Sequence, residues 1–230
     1  MDLANLNSLQ KTLGIKFKDI SLLGKSLVHR SYLNENQGIE SDSNERLEYL
    51  GDAILGFIVA EKLYRDFPDY DEGRMTRLRS ILVRREALAR ISRSINLGEY
   101  LFLGKGEDTS GGRNKSANLA CALEAVIAAV YLDQGMVKTR KMIVKLLEDE
   151  WQKAIQKPAA IDYKSRLQEL IQSREQRIPS YQVTGTSGPD HIKTFSVEVR
   201  LGDQVLGSGS GKSKKEAETE AAREALEKLS

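Results

Sequence analysis

Two periodicities divide the chain. Up to about residue 157, apolar positions recur at helical spacing, with breaks at Gly24, Gly38, Pro68, Gly98, Gly111-Gly112 and Gly135. From Tyr181 the pattern changes. Phe195-Ser-Val-Glu-Val-Arg-Leu201 alternates apolar and polar residues, as a half-buried strand does. Gln204 to Gly209 can pair with it across a turn at Gly202-Asp203, and Tyr181 to Thr186 supplies a preceding strand. Helices are predicted on either side, over about 162–174 and 213–229. The chain is therefore read as α+β. An all-helical domain spans 1–155, a linker spans 156–160, where Pro158 cannot continue a helix, and a small α-β-β-β-α domain spans 161–230. No internal repeat is visible, which excludes a solenoid.

Within the helical part, the segment from Asn44 to Ala60 reads as one helix, with Asp42 and Ser43 as candidate caps. At about 100° per residue, Glu45, Glu48 and Asp52 share an arc of roughly 60°. Leu47, Leu50, Ile54 and Ile58 fall opposite. Asp52 is followed by eight uncharged residues, apolar nearly all round, so the helix is expected to run into the interior. Like charges four apart, Glu48 and Asp52, repel. In the apolar helix Ser116 to Leu132 the one ionisable carboxylate is Glu124, which in an interior needs a partner. Arg46, Arg74, Arg77 or Arg79 would serve; a shared divalent cation would account for the repulsion and the burial together. Glu72 adds an acid at a predicted helix start, where the dipole alone justifies a carboxylate.

Composition narrows the chemistry. The single Cys excludes a disulfide framework or a Cys-rich zinc module. His29 and His191, the two histidines, leave no His cluster and little scope for a Ser-His-Asp triad. A metal would rest on carboxylates, which favours hard cations. No secretory signal is visible at the start, and the apolar stretch around Glu124 is short for a membrane span, so a cytoplasmic protein is expected. The formal net charge is +2, too small to announce a nucleic-acid partner. Ser213-Lys-Lys-Glu216 is a capping-box pattern. Lys212, Lys214 and Lys215 crowd that helix start against its dipole, an arrangement that phosphate binding would explain. Gly207-Ser-Gly-Ser-Gly-Lys-Ser213 is not a nucleotide loop, because the first glycine of that motif would fall at Leu206; no nucleotide cofactor is expected. His191 sits in a loop between two predicted strands.

Taken in order, the motifs resemble the ribonuclease III family. Glu45-Arg-Leu-Glu-Tyr-Leu-Gly-Asp-Ala-Ile-Leu55 is similar to its most specific block, and the segments Asp71–Ser80 and Leu123–Ile127 to those that follow. Residues 209–218 resemble the end of a double-stranded-RNA-binding domain. The resemblance implies an endonuclease that cuts double-stranded RNA, leaving 5′-phosphates and staggered 3′ ends, in ribosomal, messenger and other RNA processing. It also implies a homodimer and a magnesium cofactor, with manganese a substitute. Carried onto this chain, Glu48, Asp52 and Glu124 become metal ligands, Asp52 and Glu124 catalytic, and Glu45 and Glu72 accessory acids. Gln168, Glu169 and His191 become minor-groove contacts, and Lys212, Lys214 and Lys215 a phosphate clamp, in a module spanning roughly 16 bp. One position departs: Cys121 stands where the family most often has Asp. A thiol is a poor magnesium ligand, so weaker affinity or greater manganese tolerance is expected. The alternative is a weakened or inactive RNA-binding protein on the same scaffold. A phosphohydrolase acting on small substrates would leave residues 161–230 unexplained.

Overall fold

The computed structural model describes residues 3–36, 42–156, 163–189 and 193–229. The chain folds as two compact units, Met1–Lys157 and Pro158–Ser230. Each has its own apolar core.

The first unit is helical: α1 (Leu3–Leu13), α2 (Ile20–Ser26), α3 (Arg30–Glu35), α4 (Glu45–Asp66), α5 (Glu72–Val83), α6 (Arg85–Ser94), α7 (Lys105–Thr109) and α8 (Ser116–Gln156). Short 3-10 turns lie at Leu97–Tyr100 and Gly112–Asn114. Helix α8 is broken at Gly135, whose φ of 76° belongs to the left-handed region that glycine adopts without steric cost. Residues Ala125 to Val130, in its first half, are all buried. Ile54, Leu55, Ile58, Val59 and Leu63 of α4 share the core with Leu123, Val126, Ile127 and Val130 of α8. Among the described residues α8 is the one helix long and apolar enough to cross a membrane, and half of its most apolar stretch is buried within the protein. It is a core helix.

Two local expectations are corrected. Asp42 and Ser43 do not cap α4; Asn44 takes that position and makes no side-chain cap bond. Its buried amide instead donates to the Ser26 carbonyl at 3.3 Å and its backbone N–H to Val28 at 2.8 Å, so the residue ties α4 to the end of α2. Ser43 Oγ donates to Glu45 Oε2 at 2.8 Å. Nor is α4 buried all round beyond Asp52. Phe57 and Tyr64 remain 54% and 72% exposed, and with Tyr49, just before Asp52 and 81% exposed, they form an apolar stripe.

The second unit runs α9 (Tyr163–Glu175), β1 (Ser180–Ser187), β2 (Thr194–Leu201), β3 (Gln204–Gly211) and α10 (Lys214–Leu229). The sheet is antiparallel in the order β1-β2-β3, with Val197 opposite both Val183 and Gly209. Val197, Val199 and Leu201 point into a core with Leu167, Ile171 and the alanines of α10. The glycines of β3 are what let α10 sit so close. A Cβ on Gly209 would lie 2.2 Å from the Ala221 nitrogen, and one on Gly207 2.6 Å from the Ala221 carbonyl oxygen. Of the expected linker, Gln156 still belongs to α8, and 157–160 lie outside the described residues.

Candidate metal centre and nucleic-acid interface

The acids of α4 and α8 meet because α4 carries a glycine between them. A Cβ on Gly51 would stand 1.8 Å from the Glu124 carbonyl oxygen, so only glycine permits the crossing. Glu48 and Asp52 flank Gly51 in sequence and lie one helical turn apart. Glu124 is half-buried, and its carboxyl is pushed up to about 7, first by burial, then by the charges of Asp52 and Glu48. No arginine or lysine pairs with Glu48, Asp52 or Glu124 among the described residues. The arginine-partner explanation of the buried acid is therefore not what the fold uses; Arg74, for one, lies over the Tyr70 ring instead.

Cys121 lies one turn before Glu124. Burial pushes its thiol up to about 12, helped by a hydrogen bond to Glu48 and by the charges of Glu48 and Glu124, against the opposing charge of Arg85. The sulfur is protonated and points at the acids. No three His, Cys, Asp or Glu side chains among the described residues close to coordinating distance by themselves. Like charges do not converge unaided. The donor chemistry, carboxylate oxygens from two helices whose backbones touch, fits a hard divalent cation.

Glu45 and Glu72 stand apart from this group. Glu45 is exposed at the start of α4, 3.6 Å from Arg30 Nη1. Glu72 opens α5 behind its cap Asp71, accepts from Thr76 Oγ1 at 2.8 Å, and lines a groove with Phe57 and Tyr64. His29 has a structural post, its Nδ1 capping α3 by accepting from Ser31 N at 3.2 Å.

In the second unit Gln168 and Glu169 are exposed on α9. Ser213 Oγ accepts from Glu216 N at 3.2 Å, and Glu216 reaches back to Lys212 N at 2.8 Å, one residue before the position a standard capping box uses. Lys212, Lys214 and Lys215 are exposed and form no ion pair among the described residues. His191 lies outside the described residues. Sequence reasoning missed Gly51, whose signal was a helical glycine flanked by acids, and the exposed aromatic stripe, whose signal was bulky residues at 49, 57 and 64 on one face.

Comparison with known proteins gives a consistent result. A family model for ribonuclease-III-like domains matches residues 19–150, and one for the double-stranded RNA binding motif matches 163–229. The chain is 54% identical over 225 residues to ribonuclease 3 of Dehalococcoides mccartyi strain 195, covering 98% of this chain and 95% of that protein. It is 48% identical over 226 residues to ribonuclease 3 of Syntrophobacter fumaroxidans, covering 96% and 93%. Among solved structures, the nuclease domain of ribonuclease III from Campylobacter jejuni superposes with a TM-score of 0.59 at 35% identity, covering 64% of this chain and 99% of that one. That domain is described as structurally flexible in a region involved in dimer formation.

Proposed function

The chain belongs to the ribonuclease III family and is a double-strand-specific endoribonuclease; from that premise we propose that Glu48, Asp52 and Glu124 hold the divalent cation with which it cuts RNA. The observation that carries this is Glu124, a half-buried carboxyl set against two other carboxylates with no cationic side chain paired to it among the described residues. Magnesium is the proposed ion, and manganese a substitute. When bound, the cation supplies hydroxide from water and stabilises charge on the phosphodiester and the leaving oxygen. The carboxylates orient it, and Gly51 sets their spacing by letting α4 lie against α8. Glu45 and Glu72 serve as accessory acids. Cys121, protonated and soft, would offer the cation no hard oxygen, and the site would hold magnesium more weakly.

The active form is proposed to be a homodimer. Phe57 and Tyr64 are exposed beside a groove of about 520 Å³ that also includes Met75 and Glu72. In an isologous pairing the same face of a second copy would cover both stripe and groove, and would bring Glu72 to the interface. Each protomer then cuts one strand, leaving 5′-phosphates and staggered 3′ ends.

Double-stranded RNA is the partner of the second unit. Gln168, Glu169 and His191 are proposed to read minor grooves, and Lys212, Lys214 and Lys215 the phosphates between them. Ribosomal and messenger precursors in the cytoplasm are the proposed substrates. A protein that only binds would have no reason to keep three carboxylates that repel, so cutting is the favoured reading. The test is cleavage of a long duplex RNA with magnesium, manganese or chelator, with product ends mapped. Metal-dependent duplexes with staggered 3′ ends are expected; tight binding with no cutting under either metal would leave the binding-only alternative standing.

A further inference from the structure

We propose that the helical unit carries a second RNA-backbone surface, made of six lysines around the turn after α1, on a part of the unit separate from the acids. Two concavities, of about 690 and 290 Å³, share Gly14 and Ile15 as common wall. Lys11, Lys16 and Lys18 line the first, and Lys138, Lys141 and Lys145 the second. All six are exposed, and none forms an ion pair among the described residues. The last three lie at i, i+3 and i+7, one face of the second half of α8 over about 10 Å of helix.

The surface is built in advance. Lys18 N and Asp19 N donate to the Asp133 carboxylate at 2.9 and 2.8 Å, and Gln134 Nε2 donates to the Lys16 carbonyl at 3.1 Å. Phe17 N donates to Gln10 Oε1 at 2.8 Å, which closes the turn onto α1. The two adjacent acids are engaged with backbone: Asp133 as described, and Asp19 as the cap of α2, accepting from Ser21 N at 2.9 Å. No carboxylate lines either concavity, and positive charge is concentrated there in a chain whose net charge is only +2.

The chemistry selects the ligand. Lysines without an arginine fork supply point charges, which suit backbone phosphates rather than base edges. The apolar lining residues Leu13, Ile15 and Met142 are buried, leaving nothing among them to enter a lipid layer. A phosphodiester polyanion fits better than a membrane. Glu124 lies fourteen residues before Lys138 and on the other side of the break at Gly135, so the surface engages RNA away from the cleavage point. This rests on the reading of the unit as the nuclease, and it assigns the surface to long substrates.

The test uses the full chain and the triple variant Lys138→Glu/Lys141→Glu/Lys145→Glu, with the Gln triple as a milder control. Binding to a duplex of about 16 bp and to one several times longer is measured across a salt series. Tenfold or greater weakening on the long duplex at low salt is expected, with the salt slope falling by about 2 to 3 and cleavage of the short duplex unchanged. An unchanged slope on the long duplex would overturn the surface while leaving the nuclease reading intact. Failure of the parent chain to cut the short duplex would undo the nuclease reading instead. If the slope held but the variant lost binding to phosphatidylglycerol vesicles, the surface would belong to a lipid partner.

Discussion

Helix α8 carries a glutamate against a neighbouring helix in each of its two halves, and the protein treats the two in opposite ways. Beyond Gly135, Glu150 is only 7% exposed and is fully matched. Arg90 of α6 grips it with Nη2 at 2.5 Å and Nε at 3.1 Å, and Lys153 adds a contact at 3.1 Å. Those bonds hold its carboxyl down at about 2. Before Gly135, Glu124 meets Asp52 and Glu48 and is pushed up to about 7. The same residue type on one helix is in one place neutralised by the fold and in the other set against like charge. A fold selected for stability alone would treat both as it treats Glu150. The difference sets the first half of α8 apart: its carboxylate meets like charge where Glu150 meets arginine and lysine.

The comparison breaks most sharply in activity. Glu124→Gln should lower the cleavage rate at least ~1000-fold, about 4 kcal/mol of transition-state stabilisation, with duplex binding within about twofold of the parent. Glu150→Gln should leave the cleavage rate nearly unchanged. Comparable losses of rate in the two variants would remove the distinction. Gly51→Val should cost about 3 kcal/mol in denaturant unfolding and abolish cutting, because a side chain there drives α4 off the Glu124 carbonyl. Normal activity in a folded Gly51→Val protein would show that the close crossing does not set the site.

In stability the signs reverse. Glu150→Gln should destabilise by about 1–3 kcal/mol at neutral pH, since Arg90 is left facing a neutral amide. The folded pKa of Glu150 lies below its ordinary value, so its contribution is present above about pH 4.5 and is lost as pH falls towards 2. The variant's stability should accordingly be flatter across that window. Glu124 is raised, so its contribution is present below about pH 4.5 and is lost as pH rises through about 7. Without metal, Glu124→Gln should therefore be more stable than the parent at pH 8, by about 1 kcal/mol after screening. The smallest effect belongs to Cys121→Asp. It should lower the magnesium needed for half-maximal cutting by about tenfold or less, roughly 1 kcal/mol; an unchanged requirement would mean that position 121 is not a ligand position here.

Much of this was readable along the chain. Helical period placed Glu48 and Asp52 on one face, the apolar run around Glu124 announced a buried acid, and alternation located the three strands of the second unit. The break at Gly135 also appeared as punctuation. What periodicity cannot register is which distant backbone arrives at a given face. Gly51 looks like an ordinary helical glycine until the carbonyl of Glu124 lies where its Cβ would be. Spacing ruled out a nucleotide loop at the glycines of β3 without saying what they do; they seat Ala217 and Ala221 of α10. Asn44 makes no cap bond, and its buried amide instead donates to the Ser26 carbonyl of a segment far off in sequence. The exposed faces of Tyr49, Phe57 and Tyr64 defeated the expectation of an all-round interior, since an exposed apolar face has the same composition as a core.

The most direct measurement is thermal unfolding of the parent, Glu124→Gln and Glu150→Gln proteins in chelator and in excess magnesium or manganese, with no RNA present. At about tenfold excess over its dissociation constant, a cation bound by the native site adds about 1.4 kcal/mol and raises Tm by roughly 3–5 °C. That rise is expected for the parent and for Glu150→Gln, and none for Glu124→Gln. An equal rise in Glu124→Gln would contradict it, because the cation would then be held somewhere other than between α4 and α8.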